Sequence, residues 1–103
     1  MNKNIYVYIS HKDNKTKADV FYPTKKHTLM MQEGPKIKSL ASLLNSVIDY
    51  ISSLDLNLPV VISSNEVILT NIINEKKETN LEVWKTLIKN LNSKLFQVRA
   101  YTF

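Results

Sequence analysis

The sequence has no cysteine, one glycine, three prolines and a single arginine. Without cysteine there are no disulfides, thiolate metal ligands or thiol nucleophiles, as suits a reducing compartment. With Gly34 as the sole glycine, a glycine-rich phosphate loop cannot be built. Long apolar runs are missing too. The start, MNKNIYVYIS, has a five-residue apolar stretch, too short for a secretion signal. The longest helical candidate is interrupted by Lys38, Ser39, Asn45 and Asp49, well short of the roughly 18 apolar residues of a membrane span. These absences predict a cytoplasmic protein with no membrane partner. At 103 residues, 44% hydrophobic and 22% charged, the composition fits one folded domain over residues 1–103 with one core.

Charge is unevenly placed. The formal net charge is +5, and residues 1–38 hold eight lysines (3, 12, 15, 17, 25, 26, 36, 38) against Asp13, Asp19 and Glu33. The remainder nets to zero. This asymmetry favours a polyanion, through counterion release, or an acidic protein surface. Thirteen of the 14 basic residues are lysine, alongside abundant Asn and Ile, a pattern of AT-rich codon usage that points to a low-GC bacterium, phage or plasmid.

Ile5, Val7 and Ile9 alternate with Tyr6, Tyr8 and Ser10, the period of a strand, over residues 4–10. The segment HKDNKTK reads as a polar turn. Strand character resumes at 18–22 and stops at Pro23, giving an antiparallel hairpin with a charged tip. A third strand over 27–32 ends at Gly34-Pro35. From Lys36 the period becomes helical, with Ile37, Leu40, Leu43, Leu44, Val47, Ile48, Ile51 and Leu54 three and four apart. Residues 59–62 form a short buried strand. Ser63-Ser64-Asn65-Glu66 matches a capping box for a helix reaching about Glu75, and Thr79-Asn80-Leu81-Glu82 matches a second for a helix through Asn92. The latter's stripe is Leu81, Trp84, Leu87, Ile88 and Leu91. The terminal LFQVRAYTF reads as a strand or a tight hairpin turning near Arg99-Ala100. The predicted order is β-β-β-α-β-α-α-β, with room for one more terminal strand, in the α+β class with N-terminal antiparallel strands.

Two families share this order. VVISSNEVILTNI and TNLEVWKTLIKNL, with the closing VRAYTF, resemble the strand, second helix, recognition helix and wing of a winged helix-turn-helix protein, of the type with an N-terminal sheet. The wing glycines of that family are missing here. PVVISSNEVILTNII and NLEVW look like the central strand and later helix of a ribonuclease H-like domain. That family holds two divalent metals with carboxylates, since Mg²⁺ requires hard oxygen ligands. The matching positions carry Ile9 or Ser10, no acid near Leu40, and Ser63 or Ser64. The winged helix is the leading reading and a catalytically dead ribonuclease H-like module the alternative.

No catalytic constellation is present. His11 and His27 are too far apart in sequence for a helical metal pair, the carboxylates are scattered, Ser63 serves as an N-cap rather than a nucleophile, and Trp84 lies on an apolar stripe. No enzyme activity, metal or cofactor is expected.

The winged-helix resemblance implies that the helix over 80–92 presents Lys85, Thr86, Lys89 and Asn90, with Glu82, to a DNA major groove, where Asn90 pairs with adenine. Lys94, Gln97 and Arg99 adjoin it, and Lys12, Lys15 and Lys17 at the hairpin tip contact phosphates. The expected function is sequence-specific binding of double-stranded DNA by a homodimer. The role expected is that of a repressor, or of an accessory protein in a nucleoprotein complex at a plasmid or phage origin of replication or conjugative transfer. The rival is a mobile-element protein that docks on a host protein through Tyr6, Tyr8, Phe21 and Tyr22.

Overall fold

A computed structural model describes residues 3–23, 26–75, 82–95 and 97–103. Strand β1 (Ile5–Lys12) turns through Asp13 and Asn14 into β2 (Lys15–Phe21). Both turn residues have positive φ, 52° and 61°. Such a two-residue turn matches the twist of the flanking strands, and Asp and Asn tolerate the left-handed region better than other side chains. The segment HKDNKTK, expected as a polar turn, is therefore mostly strand, paired from Tyr6↔Phe21 to Lys12↔Lys15. Strand β3 (His27–Glu33) pairs antiparallel with β2.

Helix α1 (Lys36–Ser53) follows Gly34, whose φ of 135° suits the sharp exit from β3. Its buried stripe includes Leu40, Leu43, Leu44, Val47, Ile48 and Ile51, as the helical period predicts. Strand β4 (Pro59–Ser64) then pairs parallel with β1, and β5 (Gln97–Thr102) pairs parallel with β4. Between them lie α2 (Val67–Glu75) and α3 (Glu82–Lys94). The result is a five-stranded mixed sheet in the order β3-β2-β1-β4-β5.

This order corrects the winged-helix expectation. The terminal segment does not fold back as a wing; it extends the sheet beside β4, through Val60↔Val98 and Ile62↔Ala100. Helix α3 buries Trp84, Leu87 and Leu91 in the common core and packs against α1. The first capping box also shifts. Strand β4 continues to Ser64, whose buried Oγ accepts the Glu66 amide at 3.0 Å, while the Glu66 carbonyl receives the first helical amides, from Leu69 and Thr70. The second box lies mostly at 79–81, outside the described residues.

The register sorts the strand residues onto two faces. Ile5, Val7, Ile9, Ala18, Val20, Val60, Ile62 and Ala100 are buried beneath the helices. Each of the valine and isoleucine side chains among them contributes roughly 1.5–3 kcal/mol when removed from water. The other face carries no helix among the described residues.

Candidate nucleic-acid interface

The uncovered face is set by strand alternation. On β1 it presents Tyr6, Tyr8 and Ser10; opposite them β2 presents Phe21, Asp19 and Lys17. On the other flank Val61 pairs with Arg99 and Ser63 with Tyr101. Four rings therefore share one surface: Tyr6 is 41% exposed, Tyr8 43%, Phe21 39% and Tyr101 52%, open enough for each to touch a ligand. Tyr8 meets Phe21 edge-on at 5.7 Å between centroids, and His27 stacks on Phe21 at 4.6 Å, with its Nε2 2.9 Å from Asp19 Oδ1. Near Arg99, a groove of about 330 Å³ is lined by Asn4, Pro59, Val61, Gln97, Arg99 and Tyr101. That is the lower end of the range for ligand pockets, about 300–1,000 Å³.

The ten residues expected to contact DNA fall into separate groups. Lys12, Lys15, Lys17, Gln97 and Arg99 are exposed and share the uncovered face with the rings. Lys85, Thr86 and Lys89 are exposed on α3, in the helical layer on the opposite side of the sheet. Asn90 bridges helices, its Nδ2 donating to Asn45 Oδ1 at 3.2 Å, and Lys94 Nζ lies 2.6 Å from Asp49 Oδ1. Sequence reasoning left out Tyr6, Tyr8, Phe21 and Tyr101 as nucleic-acid contacts, although alternation alone places the first two on one face.

A second polar cluster lies where the parallel strands end. His11 Nδ1 is 2.8 Å from Thr16 Oγ1, the His11 amide donates to Asn65 Oδ1 at 3.3 Å, and Lys36 Nζ is 3.2 Å from Glu66 Oε2. Thr70 and Thr102 share a hydroxyl hydrogen bond at 2.8 Å.

The sheet order and the helical layer define a ribonuclease H-like fold. The chain superposes on ribonuclease H1 from the halophilic archaeon Halobacterium salinarum NRC-1 with a TM-score of 0.69, at 4% identity over 97% of this chain and 85% of that one. It superposes on the N-terminal RNase H domain of a Mycobacterium tuberculosis protein with a TM-score of 0.67, at 10% identity over 96% and 82%. No protein-family model matches the sequence, and none of the curated proteins does.

The likeness overturns three expectations. A repressor reading a specific duplex site rested on the winged helix, and it falls with that fold. The plasmid and conjugation roles, drawn from codon usage, find no support in these matches, and neither does the transcription role. The exclusion of catalysis falls as well, because the fold is that of an enzyme family, and hydrolysis becomes a property to measure.

The positions that the resemblance assigns to metal-binding carboxylates do not supply them. Ile9 and Ser64 face each other across the β1–β4 ladder, both fully buried, and Ser64 Oγ is engaged by the Glu66 amide. The Glu66 carboxylate is paired with Lys36. Among the described residues no three His, Cys, Asp or Glu side chains converge on one point. This donor set does not fit a pair of divalent ions. Among the described residues no helix is long and apolar enough to cross a membrane.

Proposed function

We propose that this chain is a ribonuclease H-like module that binds nucleic acid by laying a strand across the uncovered face of its sheet. Bases stack on Tyr6, Tyr8, Phe21 and Tyr101, and the backbone runs along Arg99, Lys17 and the hairpin lysines Lys12 and Lys15. The observation that carries this reading is the meeting of four exposed rings and four cations on one sheet face. Rings receive bases of any identity, because every base has a π-face, and the cations follow the phosphates. The proteins that the chain resembles are ribonuclease H domains, named for action on nucleic acid, which supports the ligand class. Among the described residues the face carries no helix to enter a groove, which favours an unpaired strand over an intact duplex.

Fluorescence polarisation with labelled single-stranded DNA and RNA, an RNA–DNA hybrid and duplex DNA, at two salt concentrations, tests the proposal. Tightest binding to single strands, weakening as salt rises, is expected. Binding to duplex alone, or none at low salt, would refute it. The same mixtures incubated with Mg²⁺ and resolved on a denaturing gel report strand cleavage.

A further inference from the structure

The two edges of the sheet are treated differently. On β5, Asn74 from α2 bonds both backbone groups of Ala100: its Nδ2 donates to the carbonyl at 2.6 Å and its Oδ1 accepts the amide at 2.9 Å. That edge is blunted. Strand β3 ends the sheet on the other side, and no described strand pairs with its outer edge. It contains no lysine, arginine or proline and exposes Leu29 (47%) and Met31 (58%). Its one acid, Glu33, stands at the very end, whereas edge strands normally carry lysine, a proline or a cover that prevents pairing with another chain.

The order of residues along β3 adds a second observation. In an antiparallel pairing of two copies centred on Met30, each residue meets the one whose number completes the same sum. His27 faces Glu33 of the second copy, Thr28 faces Gln32, Leu29 faces Met31, and Met30 faces itself. His27, Leu29, Met31 and Glu33 lie on the uncovered face of the sheet; Thr28, Met30 and Gln32 lie on the helical face. The segment is thus self-complementary, imidazole to carboxylate, amide to hydroxyl and apolar to apolar, on both faces. A two-fold interface demands this property, because the same patch serves both partners. A register shifted by two residues would lose the His27–Glu33 match.

We infer that β3 is the homodimer interface of this protein, joining two copies through a β3–β3 ladder in the register His27↔Glu33. The joined sheets form one ten-stranded surface. Both uncovered faces lie on the same side of it, so the rings of two copies make one continuous platform. The inference stands on the edge and its residue order and does not depend on what the face binds.

Sedimentation equilibrium of the full chain, wild type and variants, tests it. The wild type should be a dimer. Leu29→Glu and Met31→Lys each place a charge against an apolar partner at both seams. Each should weaken dimerisation by more than about tenfold while leaving the circular dichroism spectrum unchanged. Mixed in equal amounts, the two variants should recover a dimer, because one seam then pairs opposite charges and the other keeps Leu29 against Met31. Three results would overturn the inference: a monomeric wild type, a dimer indifferent to both substitutions, or single variants that keep the wild-type circular dichroism spectrum, are monomeric alone and stay so when mixed. The mixing arm separates a broken seam from a misfolded chain, since a misfolded variant would not regain its partner.

Discussion

At the scale of single residues, side chains with little hydrophobic content fix how the outer elements sit. Asn74 satisfies both backbone groups of Ala100 in a half-buried setting. Its replacement by alanine strands two polar groups, and Asn74→Ala should cost about 1–3 kcal/mol, seen as a lower midpoint in urea unfolding. An unchanged midpoint would mean that water replaces both bonds. Asn90 and Lys94 show what periodicity cannot report. The helical wheel assigns Asn90 to the polar face, yet α1 packs close enough for Asn45 and Asp49 to reach Asn90 and Lys94. A polar face looks solvated in sequence whether water or another helix lies beyond it. Trp84 itself was legible, because its stripe neighbours Leu87 and Leu91 share its burial.

At the scale of elements, local chemistry carried most of the information. The apolar spacing of α1 and the alternation of β1 are short-range patterns, and both elements lie where those patterns put them. The hairpin was longer than its composition suggested, because lysines at exposed positions of a strand look like loop residues. Its turn makes a test. Asn14 has φ 61°, so Asn14→Gly should be neutral or stabilising, whereas Asn14→Val should lose roughly 1–2 kcal/mol, read from thermal unfolding of both variants. Equal stabilities would contradict the two-residue turn. The C-terminal segment was harder. Its residues are those of a strand in either fold, and nothing within six residues distinguishes a wing from an edge strand parallel to β4.

At the scale of the whole molecule, the deciding fact is non-local. Strand β1 takes β2 on one side and β4, more than 50 residues away, on the other. No local period encodes that pairing. Two folds with the same element order therefore remained open in the sequence, and the candidate site was divided between a recognition helix and a hairpin. Once the sheet is assembled, Lys12, Lys15, Lys17, Arg99 and the rings of β1, β2 and β5 fall on one face. If the platform follows the nucleic-acid backbone, the logarithm of affinity should fall linearly with the logarithm of salt, with a slope of about −0.7 per phosphate contacted. Lys12→Ala together with Lys15→Ala should make the slope shallower.

The most direct measurement compares two sides of the molecule. Single-stranded oligonucleotide binding is titrated by fluorescence polarisation for the wild type, for Tyr8→Ala combined with Arg99→Ala, and for Lys89→Ala on the helical side. The double variant should lose at least about tenfold in affinity, equivalent to about 1.4 kcal/mol, with Lys89→Ala unchanged. A loss confined to Lys89→Ala, with the double variant binding like the wild type, would move the interface to the helices and contradict the account.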